Sequence, residues 1–190
     1  MPSIAIIDNF DSFTYNLLHA LEALGAECTV MRNNAVDWDR LRGSSGIVLG
    51  PGPGIPEEAG NLMQVIEAFH ASHALLGVCL GHQALGQYFG SGLTNLSEVY
   101  HGCDRGILWL DEDSINTGLP EAMQVGLYHS WAVDLQPSSP LRALAYSTDD
   151  VLMAFRHVDL PIHGIQFHPE SVMTTQGRQL LKNWLNGLGS

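Results

Sequence analysis

Short apolar runs alternate with longer stretches of helical spacing along this chain. Ile4 to Ile7 is an apolar run stopped by Asp8-Asn9, which predicts a short buried strand. A helix is predicted from about Ser12, because Leu17, Leu18, Leu21 and Leu24 share one face and Gly25 supplies a C-terminal stop. Thr29 to Met31 and Ile47 to Leu49 read as further strands, the second ended by Gly50-Pro51-Gly52-Pro53-Gly54. From about Pro56 a second helical pattern carries Leu62, Val65, Ile66 and Phe69. Leu75 to Val78 reads as another core strand, with a helix after Gly81 over His82 to Phe89. Short strands and turns predominate from about Leu93 to Leu160. Ile162 to Phe167 then reads as a late strand, and Gln176 to Leu188 as a closing amphipathic helix with Leu180, Leu181, Trp184 and Leu185.

Apolar strands separated by helices predict an α/β fold, with a mostly parallel open sheet, helices on both of its faces and a β-rich flanking region. With no internal repeat or low-complexity linker to mark a boundary, residues 1–190 are expected to form a single domain. Sites in such sheets form beyond the carboxyl ends of the strands, where the motifs below are clustered.

Composition narrows the partners. The chain is 45% hydrophobic and 15% charged, a globular balance. Eight Lys and Arg against twenty Asp and Glu give a formal charge of −12, which opposes binding to nucleic acid or an anionic membrane. No window approaches the roughly 18 to 20 apolar residues of a membrane span. There is no basic stretch and cleavage site of a secretory signal, so a cytoplasmic location is expected. Cys28, Cys79 and Cys103 are odd in number and far apart, which suggests reduced thiols rather than a disulfide framework.

Gly77-Val78-Cys79-Leu80-Gly81 lies between a predicted strand and a predicted helix, as a nucleophile elbow does. Glycines relieve crowding in such a turn, and a helix N-terminus favours the reactive thiolate. The N–H of Leu80 would then be available to an oxyanion. The alternative is a buried core cysteine, a common fate of free Cys. A cysteine nucleophile needs a base and the base an orienting acceptor, and His168-Pro169-Glu170 offers both at the end of a strand. In extended backbone, positions i and i+2 face one side, so both side chains can point at one site. Gly50 to Pro56 combines permissive glycines with fixed proline dihedrals and can hold a peptide N–H toward a reacting carbonyl, or serve as a plain strand-to-helix connection. It is not a phosphate loop, since no Gly-Lys-Ser/Thr follows. No metal is expected: His101, Cys103, His163, His168 and Glu170 are candidate ligands, but no C-x-x-C or H-E-x-x-H spacing supports a site.

Together, Pro51-Gly52-Pro53-Gly54, Gly77 to Gln83 and Gln166-Phe167-His168-Pro169-Glu170-Ser171 resemble the class I, triad-type glutamine amidotransferases. Asp8 to Asn16, Tyr128-His129-Ser130 and Thr174 to Gly177 are similar to the branch containing anthranilate synthase component II and the glutaminase component of aminodeoxychorismate synthase. The resemblance implies cofactor-free hydrolysis of L-glutamine through a thioester on Cys79, with His168 and Glu170 completing the triad. It implies an oxyanion hole from Gly52, Gly54 and Leu80, and substrate binding by Gly52, Pro53, Gly54, Gln83, His129 and Ser130. The partner implied is a chorismate-utilising synthase subunit that receives the ammonia, foremost anthranilate synthase and alternatively aminodeoxychorismate synthase. A non-catalytic regulatory subunit on the same fold and a cysteine acyl hydrolase are the readings from other classes. Leu127, Ser91-Gly92, Cys103 and Gly50 depart from the residues common in the family, with basic side chains absent at three of these places.

Overall fold

The computed structural model describes residues 1–97 and 99–189. In chain order the elements are β1 (Ser3–Asp8), α1 (Thr14–Glu22), β2 (Glu27–Arg32), α2 (Trp38–Arg42), β3 (Gly46–Leu49), α3 (Leu62–Phe69), β4 (Ala74–Val78) and α4 (Leu80–Tyr88). There follow β5 (Gly92–Asn95), β6 (Cys103–Trp109), β7 (Ala122–Leu127), β8 (Trp131–Asp134), β9 (Leu141–Ser147), β10 (Leu152–His157), β11 (Ile162–Ile165) and α5 (Gly177–Asn186). Nine strands make one sheet in the order β2-β1-β3-β4-β11-β10-β9-β6-β7. Neighbours from β2 through β11 run parallel, and those from β11 through β7 run antiparallel. The β-rich region therefore extends the main sheet, apart from β5 and β8, which pair as a small antiparallel ribbon.

Strand parity divides the core into two layers, because successive side chains point to opposite faces. Ile4, Ile6, Val48, Leu76, Val78 and Ile165 join Leu17 and Leu21 of α1 and Leu180, Leu181 and Trp184 of α5 on one face. Ala5, Ile7, Ile47, Leu49 and Leu75 meet Leu62, Val65 and Ile66 of α3 and Leu85 of α4 on the other. Burial on both faces is why β1, β3 and β4 read as nearly unbroken apolar runs. Among the described residues no helix is long and apolar enough to cross a membrane.

Several elements differ from the sequence-based reading. Helix α2 is too short to show a period, and its signal is the cap: the Asp37 carboxylate accepts from Arg40 N at 3.1 Å. The pattern from Pro56 divides into a single 3-10 turn, Pro56–Glu58, and then α3, because Gly60 turns the chain at φ +56°. Helix α4 starts directly after Cys79 and takes in both Leu80 and Gly81. Strand β11 ends at Ile165 and not at Phe167, since the chain then swings across the sheet. Gln166 N donates to Met153 O at 2.8 Å, and His168 N donates to Gly126 O of β7 at 3.1 Å.

The elbow between β4 and α4 depends on close backbone approach. A Cβ on Gly81 would lie 2.0 Å from the Leu49 carbonyl oxygen of β3, and one on Gly77 would lie 2.5 Å from Gly81 O. Gly81→Ala is therefore expected to destabilise the protein by about 3 kcal/mol or more in urea unfolding. Gly187→Ala, where nothing lies within 4 Å of the added carbon, should stay within about 1 kcal/mol of the parent.

Candidate active site

Cys79 sits where β4 becomes α4. Its N–H donates to Ile165 O at 2.9 Å, extending the β4–β11 ladder, while its carbonyl accepts the first bond of α4 from Gln83 N at 3.1 Å. Serving both elements at once forces φ to +53° and ψ to −102°, a strained region for a residue with a side chain. The N–H of Leu80, in the first turn of α4, has no intrahelical acceptor and is free to meet negative charge beside the thiol. Cys79 is only 5% exposed, so its sulfur is largely withdrawn from water.

His168 comes to this point from the chain beyond β11. Its Nδ1 pairs with Glu170 Oε1 at 2.6 Å, and both side chains are buried. The two residues reach each other through a turn, in which Ser171 N donates to His168 O at 3.2 Å, rather than along an extended strand. A second bond fixes the same carbonyl: Thr174 Oγ1 donates to it at 2.7 Å and in turn accepts from Gly126 N at 2.9 Å. Burial pulls the His168 pKa down, but the Cys79 sulfur and the Glu170 carboxylate more than reverse this and hold it well above the ordinary imidazole range. The arrangement suits a buried thiolate–imidazolium pair with an orienting carboxylate.

Two aromatic rings roof the imidazole. Phe13 lies edge-on to His168 with ring centres 5.2 Å apart, Tyr128 lies edge-on at 5.0 Å, and the two roof rings are 4.7 Å from each other. Phe13 arrives in a loop tied down by Asp8, whose Oδ1 accepts from Phe10 N, Asp11 N and Thr14 Oγ1. Two motifs far apart in sequence thus converge on one ring.

The Trp131 carbonyl organises the polar side of the site. It accepts from Gln83 Nε2 at 2.9 Å and from His129 Nδ1 at 2.8 Å. A carbonyl can only accept, so His129 carries its proton on Nδ1 and leaves Nε2 as a buried acceptor. Burial lowers the His129 pKa to about 4, which keeps this ring neutral beside His168. Ser130 forms the same turn, its carbonyl accepting from Leu96 N at 2.8 Å.

The Gly-Pro loop is brought against the elbow at Gly52, where an added Cβ would lie 2.5 Å from Asn9 Cβ and 2.9 Å from Leu80 Cδ2. Pro53 and Gly54 are exposed beyond it, Gly54 with φ +75°. A run of amides braces the loop. Asn9 Nδ2 donates to Gly50 O at 2.8 Å, Asn33 Nδ2 to Asn9 Oδ1 at 3.0 Å, and Asn61 Nδ2 to Asn33 O at 2.8 Å.

Sequence reasoning did not assign roles to Phe13, Tyr128, Trp131 or Gln166. Gln166 is fully buried and its Nε2 lies 3.6 Å from Cys79 Sγ. All but Trp131 lie inside the family-like motifs, and Trp131 acts through its carbonyl, which side-chain patterns do not reveal. A cavity of about 420 Å³ is lined by residues between Trp109 and Glu121 and contains none of these side chains. Leu127, at a position where the family commonly has a basic residue, is fully buried opposite Cys103 in the β6–β7 ladder, so the departure there forms an apolar pair.

Comparison with known proteins gives the family. Residues 5–188 match the family "Glutamine amidotransferase class-I". An anthranilate synthase component 2 from Mycobacterium tuberculosis is 42% identical over 193 residues, covering 98% of this chain and 82% of the relative. An aminodeoxychorismate/anthranilate synthase component 2 from Bacillus subtilis is 39% identical, covering 96% and 95%. The crystal structure of a putative GMP synthase subunit from Thermoplasma acidophilum superposes with a TM-score of 0.89 at 25% identity, covering 99% of this chain and 94% of that one. With a family match over nearly its whole length and full-length relatives near 40% identity, the chain belongs to the class I glutamine amidotransferases.

Proposed function

We propose that this chain is the glutaminase subunit of a chorismate-utilising synthase, foremost anthranilate synthase, and that Cys79, His168 and Glu170 carry the hydrolysis. The observation that carries the reading is the buried His168–Glu170 pair at 2.6 Å beside a cysteine held in a strained elbow. Cys79 as thiolate attacks the side-chain carbonyl carbon of L-glutamine. The developing oxyanion is met by the Leu80 N–H and by the Gly-Pro loop, in which Gly52 is the residue packed against Leu80 and Gly54 lies farther along. The His168 imidazolium protonates the departing nitrogen, so that ammonia leaves and a glutamyl thioester remains. Neutral His168 then takes a proton from water, which attacks the thioester and releases glutamate and the thiol.

Gln83 and His129, which share the Trp131 carbonyl, the adjacent Ser130, and Gly52, Pro53 and Gly54 of the Gly-Pro loop are the groups we assign to the substrate. The partner reading draws on the component 2 names of the relatives, and one of those names joins anthranilate with aminodeoxychorismate. Aminodeoxychorismate formation is therefore the second product to assay. The chain acts as one domain, and its three unpaired cysteines suit the reducing cytoplasm.

Ammonia release from glutamine is expected to rise when a chorismate-utilising synthase subunit is added and to vanish in Cys79→Ala. The same mutant complex should still form product from added ammonium. Glutamine-dependent synthesis surviving in Cys79→Ala would sink the assignment. A second expectation concerns pH. The raised His168 pKa keeps the imidazolium available to protonate the departing amide nitrogen above the usual histidine range. Glu170→Gln replaces the negative partner by a neutral one and lowers that pKa, so the alkaline limb of kcat should move to lower pH. At pH 8 the rate should fall about ten- to hundredfold, within the usual size of acid–base contributions. A pH–rate profile of the partnered complex reads both effects.

A further inference from the structure

Gln166 is not used by the mechanism above, yet it is completely buried and reaches the nucleophile. Its position is fixed by the main chain, since Gln166 N donates to Met153 O of β10 at 2.8 Å just where β11 ends. From there its side chain spans two groups. Oε1 accepts from Gln83 Nε2 at 3.1 Å, and Nε2 lies 3.6 Å from Cys79 Sγ. Which end of the amide faces the sulfur follows from the Trp131 carbonyl. That oxygen can only accept, so Gln83 must turn its NH2 toward it, at 2.9 Å. The second hydrogen of the same NH2 then points at Gln166 and requires an oxygen there. The remaining end, the Gln166 NH2, is left facing the sulfur.

We infer that Gln166 is a hydrogen-bond donor to the Cys79 sulfur, oriented through Gln83 by the Trp131 carbonyl, and that it holds the resting thiolate in place. The inference rests on the reading of Cys79 as nucleophile. An N–H near a thiolate stabilises the charge and restrains the sulfur, whereas a thioester sulfur is a poor acceptor and gains little. Gln166 therefore acts mainly on the resting enzyme and on the step that regenerates it. Because Gln83 is also assigned to the substrate, bound glutamine and the sulfur are linked through one pair of amides.

The test is the pH dependence of Cys79 alkylation by chloroacetamide in the purified full chain, followed by peptide mapping so that Cys28 and Cys103 are read separately. It needs neither glutamine nor a partner. Gln166→Leu should move the midpoint up by about one pH unit, and slow labelling at pH 7 about tenfold, with the high-pH plateau unchanged. Gln166→Glu, which turns a carboxylate toward the sulfur, should move the midpoint further than Leu does. A residue that merely fills space gives no such order. Should Gln166→Leu fail to fold by circular dichroism, Gln83→Met reads the same point by releasing the amide, and it should raise the midpoint by a smaller amount. Unchanged midpoints in the folded variants, with normal partner-stimulated glutamine hydrolysis in the parent, overturn the role of Gln166 alone. Absence of selective Cys79 labelling and of glutamine hydrolysis in the parent overturns the glutaminase reading itself.

Discussion

The site depends on backbone touching backbone where α4 leaves the sheet. Gly81 stands so close to the Leu49 carbonyl that no side chain fits, and Gly77 is as close to Gly81. This contact holds the start of α4 against β3 and β4. Cys79 must then close the β4 ladder with its N–H and open the helix with its carbonyl, and its positive φ is the result. Strain of this kind persists only where surrounding packing over-determines it. Here the packing comes from two apolar layers with a fully buried strand between them.

Around that fixed point, one main-chain oxygen arranges most of the polar groups. The Trp131 carbonyl sets the tautomer of His129 and the amide orientation of Gln83, and through Gln83 that of Gln166. Since a carbonyl cannot reverse its role, the network has a single consistent direction. A side-chain hydroxyl at the same place would allow either direction and leave the donor facing Cys79 undefined.

The centre of the parallel half of the sheet, β1, β3 and β4, was legible because these strands are buried on both faces and appear as apolar runs. The grouping of Cys79, His168 and Glu170 was legible because Gly-x-Cys-x-Gly and His-Pro-Glu carry their pattern in residue type and spacing. Helix α2 was not, since five residues hold too little periodicity. The 3-10 turn before α3 and the early end of β11 depend on where backbone bonds go, which residue patterns do not encode. His168 and Glu170 were expected to meet along a strand and meet instead through a turn, because the chain crosses to β7 before reaching them. Phe13 and Tyr128 stood in motifs whose meaning appears only when the fold sets both rings over His168.

The row of amides behind the Gly-Pro loop extends the site's dependence well beyond the atoms that react. Asn9 is 2% exposed and Asn33 4%, and each donates to the next group in line from Asn61 to Gly50. Truncating one leaves its neighbour's polar atom buried and unpaired, and the loop free to drift from Leu80. Over evolutionary drift or in laboratory recombination, these three asparagines should therefore be inherited as a block. A chimaera that joins the first sixty residues of one relative to the remainder of another would break that block at Asn61, leaving Cys79, His168 and Glu170 intact and the Gly-Pro loop misplaced.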